Sequence, residues 1–127
     1  MDSLKATMMQ ALSGMKFQSE RLDVTSQNIS NADTPGYQRK MMMLDGAQTG
    51  AEAFKSARMM LDQTEGEQKY DPSHPMANDE GYVTMSNVSI VTEMADMREA
   101  NRSYEANLNS YQQARSMYKS LLDILRR

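Results

Sequence analysis

The sequence predicts a mainly α-helical fold in which long N- and C-terminal helices pair as a coiled-coil-like hairpin, with a small irregular or β-rich insertion between them. Near both chain ends, apolar side chains recur at alternating steps of four and three residues, a spacing that keeps one helix face towards a partner helix. Turn-forming residues and prolines cluster between these segments. We therefore expect one elongated unit with segments 1–36, 37–86 and 87–127.

The first predicted helix covers residues 3–29, and Asp2 or Ser3 can cap its first turn. Gly14 lowers the helix propensity, but the apolar pattern continues through it. Leu12 and Phe17 lie beside the stripe and widen it. We expect the stripe to pack on a second long helix, and its members are Leu4, Met8, Ala11, Met15, Gln18, Leu22, Thr25 and Ile29.

The first helix is predicted to end in the segment 26–37, which is rich in residues that leave the helical conformation. Asn and Asp side chains bond readily to nearby backbone groups, and Asn tolerates left-handed conformations. The tetrapeptide Thr34-Pro35-Gly36-Tyr37 fits a type II turn, because Pro35 fixes φ and Gly36 supplies a positive φ. The polar and turn residues of this motif are Asn28, Asn31, Asp33, Thr34, Pro35, Gly36 and Tyr37.

The middle segment is predicted to hold short, irregular elements. Residues 38–44 can form a strand, 45–50 a loop, and 81–85 a further short strand. Local propensity favours a helix over 51–61, whereas 62–69 is polar and expected to be exposed. Prolines at 72 and 75 require an extended or turning chain over 70–76, so His74 is expected to be a loop residue rather than a catalyst.

The last predicted helix runs from Asn87 to Arg127, capped by Ser86 and Asn87, without an interrupting Gly or Pro. At roughly 1.5 Å per residue it is about 60 Å long, too long for the interior of a small compact domain, so it needs another long helix. Its main row is Ile90, Met94, Met97, Asn101, Tyr104, Leu108, Tyr111, Arg115, Tyr118, Leu122 and Leu125.

A second apolar row lies on the same helix and consists of Ala114, Met117, Leu121 and Ile124. One row can pair with the N-terminal helix, which leaves the other for a neighbouring chain. If Asn101 and Arg115 are buried in the main row, they cost stability but can fix the register between helices. Lys119, Asp123 and Arg127 form a charged row that is solvated or bridges subunits.

Composition excludes several classes of function. The 127 residues include no Cys and one His, which removes disulfides and the common zinc and iron sites. A net charge of −3 argues against a nucleic-acid binder, and no apolar run reaches the length of a transmembrane helix. Glu93, Asp96 and Glu99 could gather carboxylates, but a solvated face explains them better. We expect no catalysis, cofactor, metal or membrane insertion.

The N-terminal residues lack the continuous apolar stretch of a cleavable secretory signal, because Lys5, Thr7, Gln10 and Ser13 interrupt it. This leaves the cytoplasm, or export without such a signal. The basic residues of the last helix are offset by acidic ones, so binding to anionic membranes or nucleic acid gains little support. The 14 methionines indicate ordinary core or an adaptable interaction surface.

Several motifs resemble the bacterial flagellar rod and hook axial proteins. Asn28-Ile-Ser-Asn-Ala-Asp-Thr-Pro-Gly-Tyr37 looks like the N-terminal signature of that family. The segment Tyr70-x-Pro-x-His-Pro-Met-Ala-x-x-x-Gly-Tyr-Val83 resembles its proximal rod members, and so do Asn87-Val88, Glu93-Met94 and Arg102-Ser-Tyr-Glu-Ala-Asn107. The motifs occur in the family's order. Ser86 departs from a frequent Pro, and residues 45–69 show only weak similarity.

The resemblance implies a structural subunit of the flagellar basal body that polymerises with other rod proteins and with copies of itself into the proximal rod, the drive shaft that transmits torque across the periplasm. It implies uncleaved export by the flagellar type III apparatus and contact with basal-body ring and adaptor proteins. The terminal helices would form the inner tube, and the termini would be disordered in the free monomer. It also implies a mainly extended chain over 51–69, which we prefer to the helix that propensity favours. The alternatives are another rod or hook protein and a generic helical-hairpin module.

Overall fold

The computed structural model describes residues 2–44 and 51–126, and it confirms the mainly α-helical hairpin with a small insertion. The loop predicted at 45–50 and the last member of the charged row, Arg127, lie outside the described residues. In chain order the elements are α1 (Asp2–Ser30), β1 (Lys40–Met43), α2 (Ala51–Lys55), β2 (Arg58–Leu61), β3 (Gln68–Tyr70), β4 (Tyr82–Thr84) and α3 (Ile90–Arg126).

The two long helices pack against each other antiparallel. The Lys5 ammonium lies 5.7 Å from the centre of the Tyr118 ring near one end, and Asn28 bonds to Glu93 at the other. Since α1 has 29 residues and α3 has 37, the helices are about 43 and 55 Å long. Lys5 is close to the start of α1, whereas Tyr118 is two turns before the end of α3. The last turn of α3 therefore extends past α1.

Small residues bring the two helices close together. Ala11 and Gly14 on α1 and Ala100 and Ala114 on α3 are all buried. A Cβ atom added at Gly14 would stand 2.7 Å from Nδ2 of Asn107, so a side chain at this position would require the Asn107 side chain to move. Short side chains reduce the separation that ridges and grooves must span, which favours close contact over the length of the pair.

The insertion contains two separate antiparallel sheets of two strands each. β1 pairs with β2, with Met41 opposite Met60, and β3 pairs with β4, with Lys69 opposite Val83. Val83 is buried, and the rings of Tyr70 and Tyr82 meet edge to face at 5.3 Å. The strands predicted within 38–44 and 81–85 are thereby confirmed, with each end shortened by one or two residues.

The segment 51–69 combines the two expectations for it. A helix forms only over Ala51–Lys55, and Phe54 packs on Phe17 of α1 with ring centres 5.7 Å apart. The helix that propensity favours therefore ends early, because residues 58–61 find backbone partners along β1. Residues 62–67 are irregular and mostly exposed, as the polar composition predicts, before β3 begins at Gln68.

The long C-terminal helix begins at Ile90, three residues later than predicted, and the proposed caps Ser86 and Asn87 were wrong. Ser89 is the N-cap: its Oγ accepts from the Thr92 amide at 3.5 Å, and its carbonyl accepts from the Glu93 amide at 2.9 Å. Ser86 and Asn87 instead bond to segments far away in the sequence, which holds residues 85–89 out of the helix.

Candidate functional site

Asn28, at the end of α1, connects three parts of the chain and is fully buried. Its amide nitrogen donates to the Lys40 carbonyl at 2.9 Å and to Oε2 of Glu93 at 3.1 Å. Its carbonyl oxygen accepts from the Tyr37 hydroxyl and from the Lys40 amide, both at 2.9 Å. One side chain thus satisfies all of its hydrogen-bonding groups by joining α1, β1 and α3.

Charged residues surround Asn28 and continue this connection. The Glu93 carboxylate is only 1% exposed and accepts from the Arg39 guanidinium. Arg39 also binds Asp96 at 2.7 Å, and Arg21 lies 3.6 Å from the same carboxylate. We call Arg21, Asn28, Arg39, Glu93 and Asp96 the junction cluster. The predicted solvated role for the carboxylates was wrong for Glu93, because the turn motif folds back over it.

The pKa values in this region follow from the same contacts. Burial acts to lower the pKa of Arg39, but hydrogen bonds and charge from Glu93 and Asp96 outweigh it, so the pKa is raised. Burial raises the pKa of the Tyr37 hydroxyl, and the nearby Glu93 charge adds to this shift. Hydrogen bonds from Thr64 lower the pKa of Asp62, and the Arg39 charge acts in the same direction. These shifts favour a cationic Arg39 and a neutral Tyr37.

The turn motif has the hydrogen bonds and the dihedral angle expected of it. Gly36 has φ of 77°, and the Tyr37 amide donates to the Thr34 carbonyl at 3.2 Å, as in the predicted type II turn. The Asn31 side chain donates to the Gln27 carbonyl at 2.8 Å and satisfies a group at the helix end. Pro35 is half-buried, and Asp33 is exposed.

Asn87 and Ser86, just before α3, hold the insertion and the turn segment in place. Its Oδ1 accepts from the Arg39 amide at 2.6 Å, and its Nδ2 donates to the carbonyls of Asp62 and Thr64 at 2.9 and 2.8 Å. Ser86, which is buried, donates its hydroxyl to the Ala32 carbonyl. Sequence reasoning missed both roles, because their partners lie more than twenty residues away and leave no periodic signal.

The predicted stripe of α1 faces α3. Ala11 and Thr25 are buried, and the half-buried members are Leu4, Met8, Met15, Gln18, Leu22 and Ile29. Phe17 is buried, whereas Leu12 is 48% exposed and lies outside the contact. Val24 and Gly14 are also buried but were not in the predicted stripe, since a strict alternation of three and four residues does not include them.

On α3 the buried face lies between the two predicted rows. Half-buried members of the main row are Met97, Tyr104, Leu108, Tyr111, Tyr118 and Leu122. Asn101 and Arg115 are exposed, while the adjacent Ala100 and Ala114 are buried in their place. The register-fixing role considered for Asn101 and Arg115, which required their burial, therefore does not apply, because small residues fit the close helix contact and the polar ones turn to solvent.

The remaining apolar residues of both rows point away from α1. At the start of α3, Ile90 and Met94 are each 48% exposed. At its end, Met117, Leu121, Ile124 and Leu125 are exposed, the last two by 63% and 71%. The four side chains from Met117 to Leu125 form a continuous apolar strip over the last turns of the helix. The assembly role predicted for them stays a prediction.

Within residues 2–44 and 51–126, no helix is long and apolar enough to cross a membrane. The same residues contain no group of three or more His, Cys, Asp or Glu side chains that could hold a metal ion. His74 lies in a turn, where its Nδ1 accepts from the Met76 amide at 3.0 Å.

Family models match both ends of the chain. Residues 8–38 match a family described as "Flagella basal body rod protein", and residues 79–124 match "Flagellar basal body rod FlgEFG protein C-terminal". The first match covers the turn motif and most of α1. The second covers β4, the N-cap of α3 and nearly all of that helix. Of the junction cluster, Arg21, Asn28, Glu93 and Asp96 fall within the matched segments, and Arg39 lies one residue beyond the first.

Curated relatives match over most of their length. The flagellar basal-body rod protein FlgC of Agrobacterium fabrum is 43% identical over an alignment of length 137, gaps included, which covers 99% of this chain and 98% of the relative. FlgC of Escherichia coli O6:H1 is 33% identical, with coverage of 88% and 90%. FlgC of Bacillus subtilis is 31% identical, with coverage of 88% and 91%.

Proposed function

The chain belongs to the FlgC family of flagellar basal-body rod proteins and is a structural subunit of the rod; on that premise we propose that its terminal helices form the contacts that build the proximal rod. The observation that carries this proposal is the exposed apolar strip at the end of α3. Apolar surface that is continuous and rimmed by polar residues is typical of a protein interface.

The antiparallel helix pair suits assembly into a tube. One face of each helix is occupied by the other, so the exposed strip is available to a neighbouring subunit. A contact between two different surfaces, repeated with a rotation that does not close, produces a helical filament. Copies of this chain and other rod proteins are the proposed partners, and the terminal helices form the inner wall.

The junction cluster supports a mechanical role. Torque on the rod would act on the connection between the helices and the insertion. A flexible connection would absorb this torque instead of transmitting it. The hydrogen bonds of Asn28, Arg39 and Glu93 join these parts through buried, charge-assisted contacts. In this proposal the cluster acts as a rigid joint, and no catalytic step or cofactor is assigned to it.

The proposal also states how the subunit is exported and which proteins its insertion contacts. The subunit reaches the periplasmic rod through the flagellar type III export apparatus without cleavage, as the resemblance implies. The insertion of β1–β4 projects from the helix pair and faces basal-body ring and adaptor proteins. Exposed Met43, Met59 and Met60 on β1 and β2 support a contact role, because Met side chains adapt to varied partners.

A charge on the apolar strip tests the assembly contact. We expect Ile124→Asp to keep the helix content and thermal midpoint of the purified chain, because Ile124 is 63% exposed, but to abolish rod assembly and motility. The matched control is Gln112→Asp, which adds the same charge at an exposed polar position of α3. Swimming assays and isolated basal bodies report the result, and normal rods with Ile124→Asp would refute the proposal.

A charge in the helix seam should act differently. Leu108 is half-buried against α1, so Leu108→Asp is expected to lower both monomer stability and assembly. Leu122→Asp should have the same two effects near the end of the pair. Circular dichroism alongside the swimming assay separates these variants from Ile124→Asp. Unchanged assembly with Leu108→Asp or Leu122→Asp would show that the helix pair is not needed in the rod.

A further inference from the structure

Methionine is concentrated in the first strand pair of the insertion. Five of the eight residues that pair in β1 and β2 are Met, out of 14 in the whole chain. The antiparallel register sets Met41 opposite Met60 and Met42 opposite Met59. Directly opposite side chains lie on the same face of a strand pair, with Cβ atoms about 4.5–5.5 Å apart. We call β1 and β2 together the Met hairpin, and it carries thioether groups on both of its faces.

The Met hairpin is open to solvent along its outer strand. Met59 and Met60 of β2 are exposed by 49% and 40%, and Met43 of β1 by 43%. Because the chain has no Cys, no thiol of its own competes with these thioethers for an oxidant. A small oxidant therefore reaches several Met side chains at one place in the fold.

The inner methionines lie against α1. Met41 and Met42 are half-buried, and with Phe17 and Val24 they line a cavity of about 250 Å³. Phe17 and Val24 are buried, so this part of the contact is apolar. A polar group placed there without a hydrogen-bond partner is costly. An oxygen atom added to either inner sulfur therefore has to find a donor or turn towards water.

The donors beside this cavity are already engaged. Arg39 binds Glu93 and Asp96, and Arg21 lies 3.6 Å from the same Asp96 carboxylate. A sulfoxide oxygen that accepts from either guanidinium competes with these carboxylates, and one that accepts from water leaves the apolar contact. Both outcomes loosen β1 from α1.

We propose that the Met hairpin is a site of reversible methionine oxidation, and that sulfoxides at Met41 and Met42 release the hairpin from α1. A strand pair without a further packing partner is marginally stable in water, so its release also weakens the pairing of β1 with β2. The modification acts on the unassembled chain and is independent of the contacts proposed above.

The co-reactant is a hydroperoxide such as hydrogen peroxide. A sulfur lone pair attacks one peroxide oxygen, and the S–O bond forms as the O–O bond breaks. The proton of the transferred OH group passes to the departing hydroxide, which leaves as water. Sulfur loses two electrons and the peroxide gains them. Methionine sulfoxide reductases restore the thioether with electrons from two thiols, which form a disulfide as the oxygen leaves in water.

Peroxide treatment of the purified full chain tests the site. Peptide mass spectrometry locates the sulfoxides, and hydrogen exchange reports the opening of residues 40–43 and 58–61. We expect oxidation of Met41 and Met42 to raise exchange in both segments by about tenfold, and reductase treatment to reverse it. Unchanged exchange in chains with both sulfoxides would overturn the proposal. So would the absence of these sulfoxides once the exposed Met9 is fully oxidised.

Leucine variants identify the thioethers responsible. Leu has a volume close to that of Met and forms no sulfoxide. Met41→Leu with Met42→Leu should abolish the peroxide response in hydrogen exchange. The matched control, Met9→Leu with Met76→Leu, removes two thioethers that are exposed by 63% and 59% outside the hairpin and should keep the response. A response that persists in the first variant, or is lost in the control, would contradict the proposal.

Discussion

The two ends of the helix pair are built in opposite ways. At the junction end, polar and charged side chains are buried and hydrogen-bonded to one another, and no buried side-chain nitrogen or oxygen of the described residues lacks a partner. At the terminal end, apolar side chains such as Ile124 and Leu125 are exposed. The buried polar groups of the junction end are thus satisfied within the chain, whereas these apolar side chains of the terminal end are left uncovered by it.

This contrast assigns different tasks to the two ends. Buried ion pairs contribute little net stability, but the loss of one member is costly, which favours a single geometry. Exposed apolar surface contributes its free energy only when a partner covers it. In the proposed function, such a subunit has a rigid junction at one end, and the free energy of association comes from the apolar surface at the other end.

The largest effect is expected from breaking the junction end. Glu93→Ala removes one acceptor from the Arg39 guanidinium and one from the Asn28 amide in a buried position, and we expect a loss of about 3 kcal/mol in the free energy of unfolding. Urea denaturation followed by circular dichroism measures it.

The matched control is Glu99→Ala. Its carboxylate is 67% exposed and contacts Arg21 at 3.3 Å, so the expected loss is below about 1 kcal/mol. Equal denaturation midpoints for the two variants would show that the junction cluster does not stabilise the fold.

A smaller effect is expected at the centre of the pair, between the two ends. Gly14→Ala gains about 1 kcal/mol of helix propensity, but the new Cβ would stand 2.7 Å from Asn107, and such overpacking costs about 1–3 kcal/mol. We expect net destabilisation, measured as a lower thermal midpoint.

The effect of Gly14→Ala on stability should change from unfavourable to favourable when the Asn107 side chain is shortened. In an Asn107→Ala background, Gly14→Ala is expected to stabilise the helix pair, and the double-mutant cycle gives the coupling between the positions. Stabilisation by Gly14→Ala in the wild-type background would show that the Asn107 side chain moves aside at little cost and that the packing at this point does not require glycine.

The smallest effect is a dependence of stability on alkaline pH. The folded chain raises the pKa of Tyr37 above its ordinary value of 10.0, so its contribution is present below that pH and is lost as pH rises through the folded pKa. Tyr37→Phe should remove this loss and cost about 1 kcal/mol at neutral pH, since the hydrogen bond to Asn28 is absent. Tyr70→Phe, at an exposed position, should retain the alkaline loss in urea titrations, and a Tyr37→Phe profile of the same shape would contradict the assignment.

The periodic spacing of apolar residues predicted the long helices, but it did not predict individual contacts that occur once in the fold. The stripe through Ala11 and Leu22 identified α1 and the face that packs on α3, because apolar residues on successive turns lie on the same side of the helix. The row on α3 was displaced at Asn101 and Arg115, since the alternating pattern passes over Ala100 and placed Ala114 in the second row, although both are buried in the contact.

The junction cluster could not be derived from spacing. Asn28 and Glu93 are 65 residues apart in the chain, and neither belongs to an apolar pattern. The resemblance identified Asn28 and Tyr37 as motif residues without giving their physical role. That role became visible only when the turn motif was seen to fold over the start of α3, which converts an apparent surface carboxylate into a buried acceptor.

The order of the elements along the chain has a kinetic consequence. The stripe of α1 is synthesised first, but the residues that cover it lie in α3, and the bond from Arg21 to Glu99 spans 78 residues. Closing so long a loop costs entropy before any contact offsets it, and contacts of high sequence separation slow folding. The helix pair therefore forms only after α3 has been synthesised, and until then α1 stays a marginal helix open to any other apolar partner.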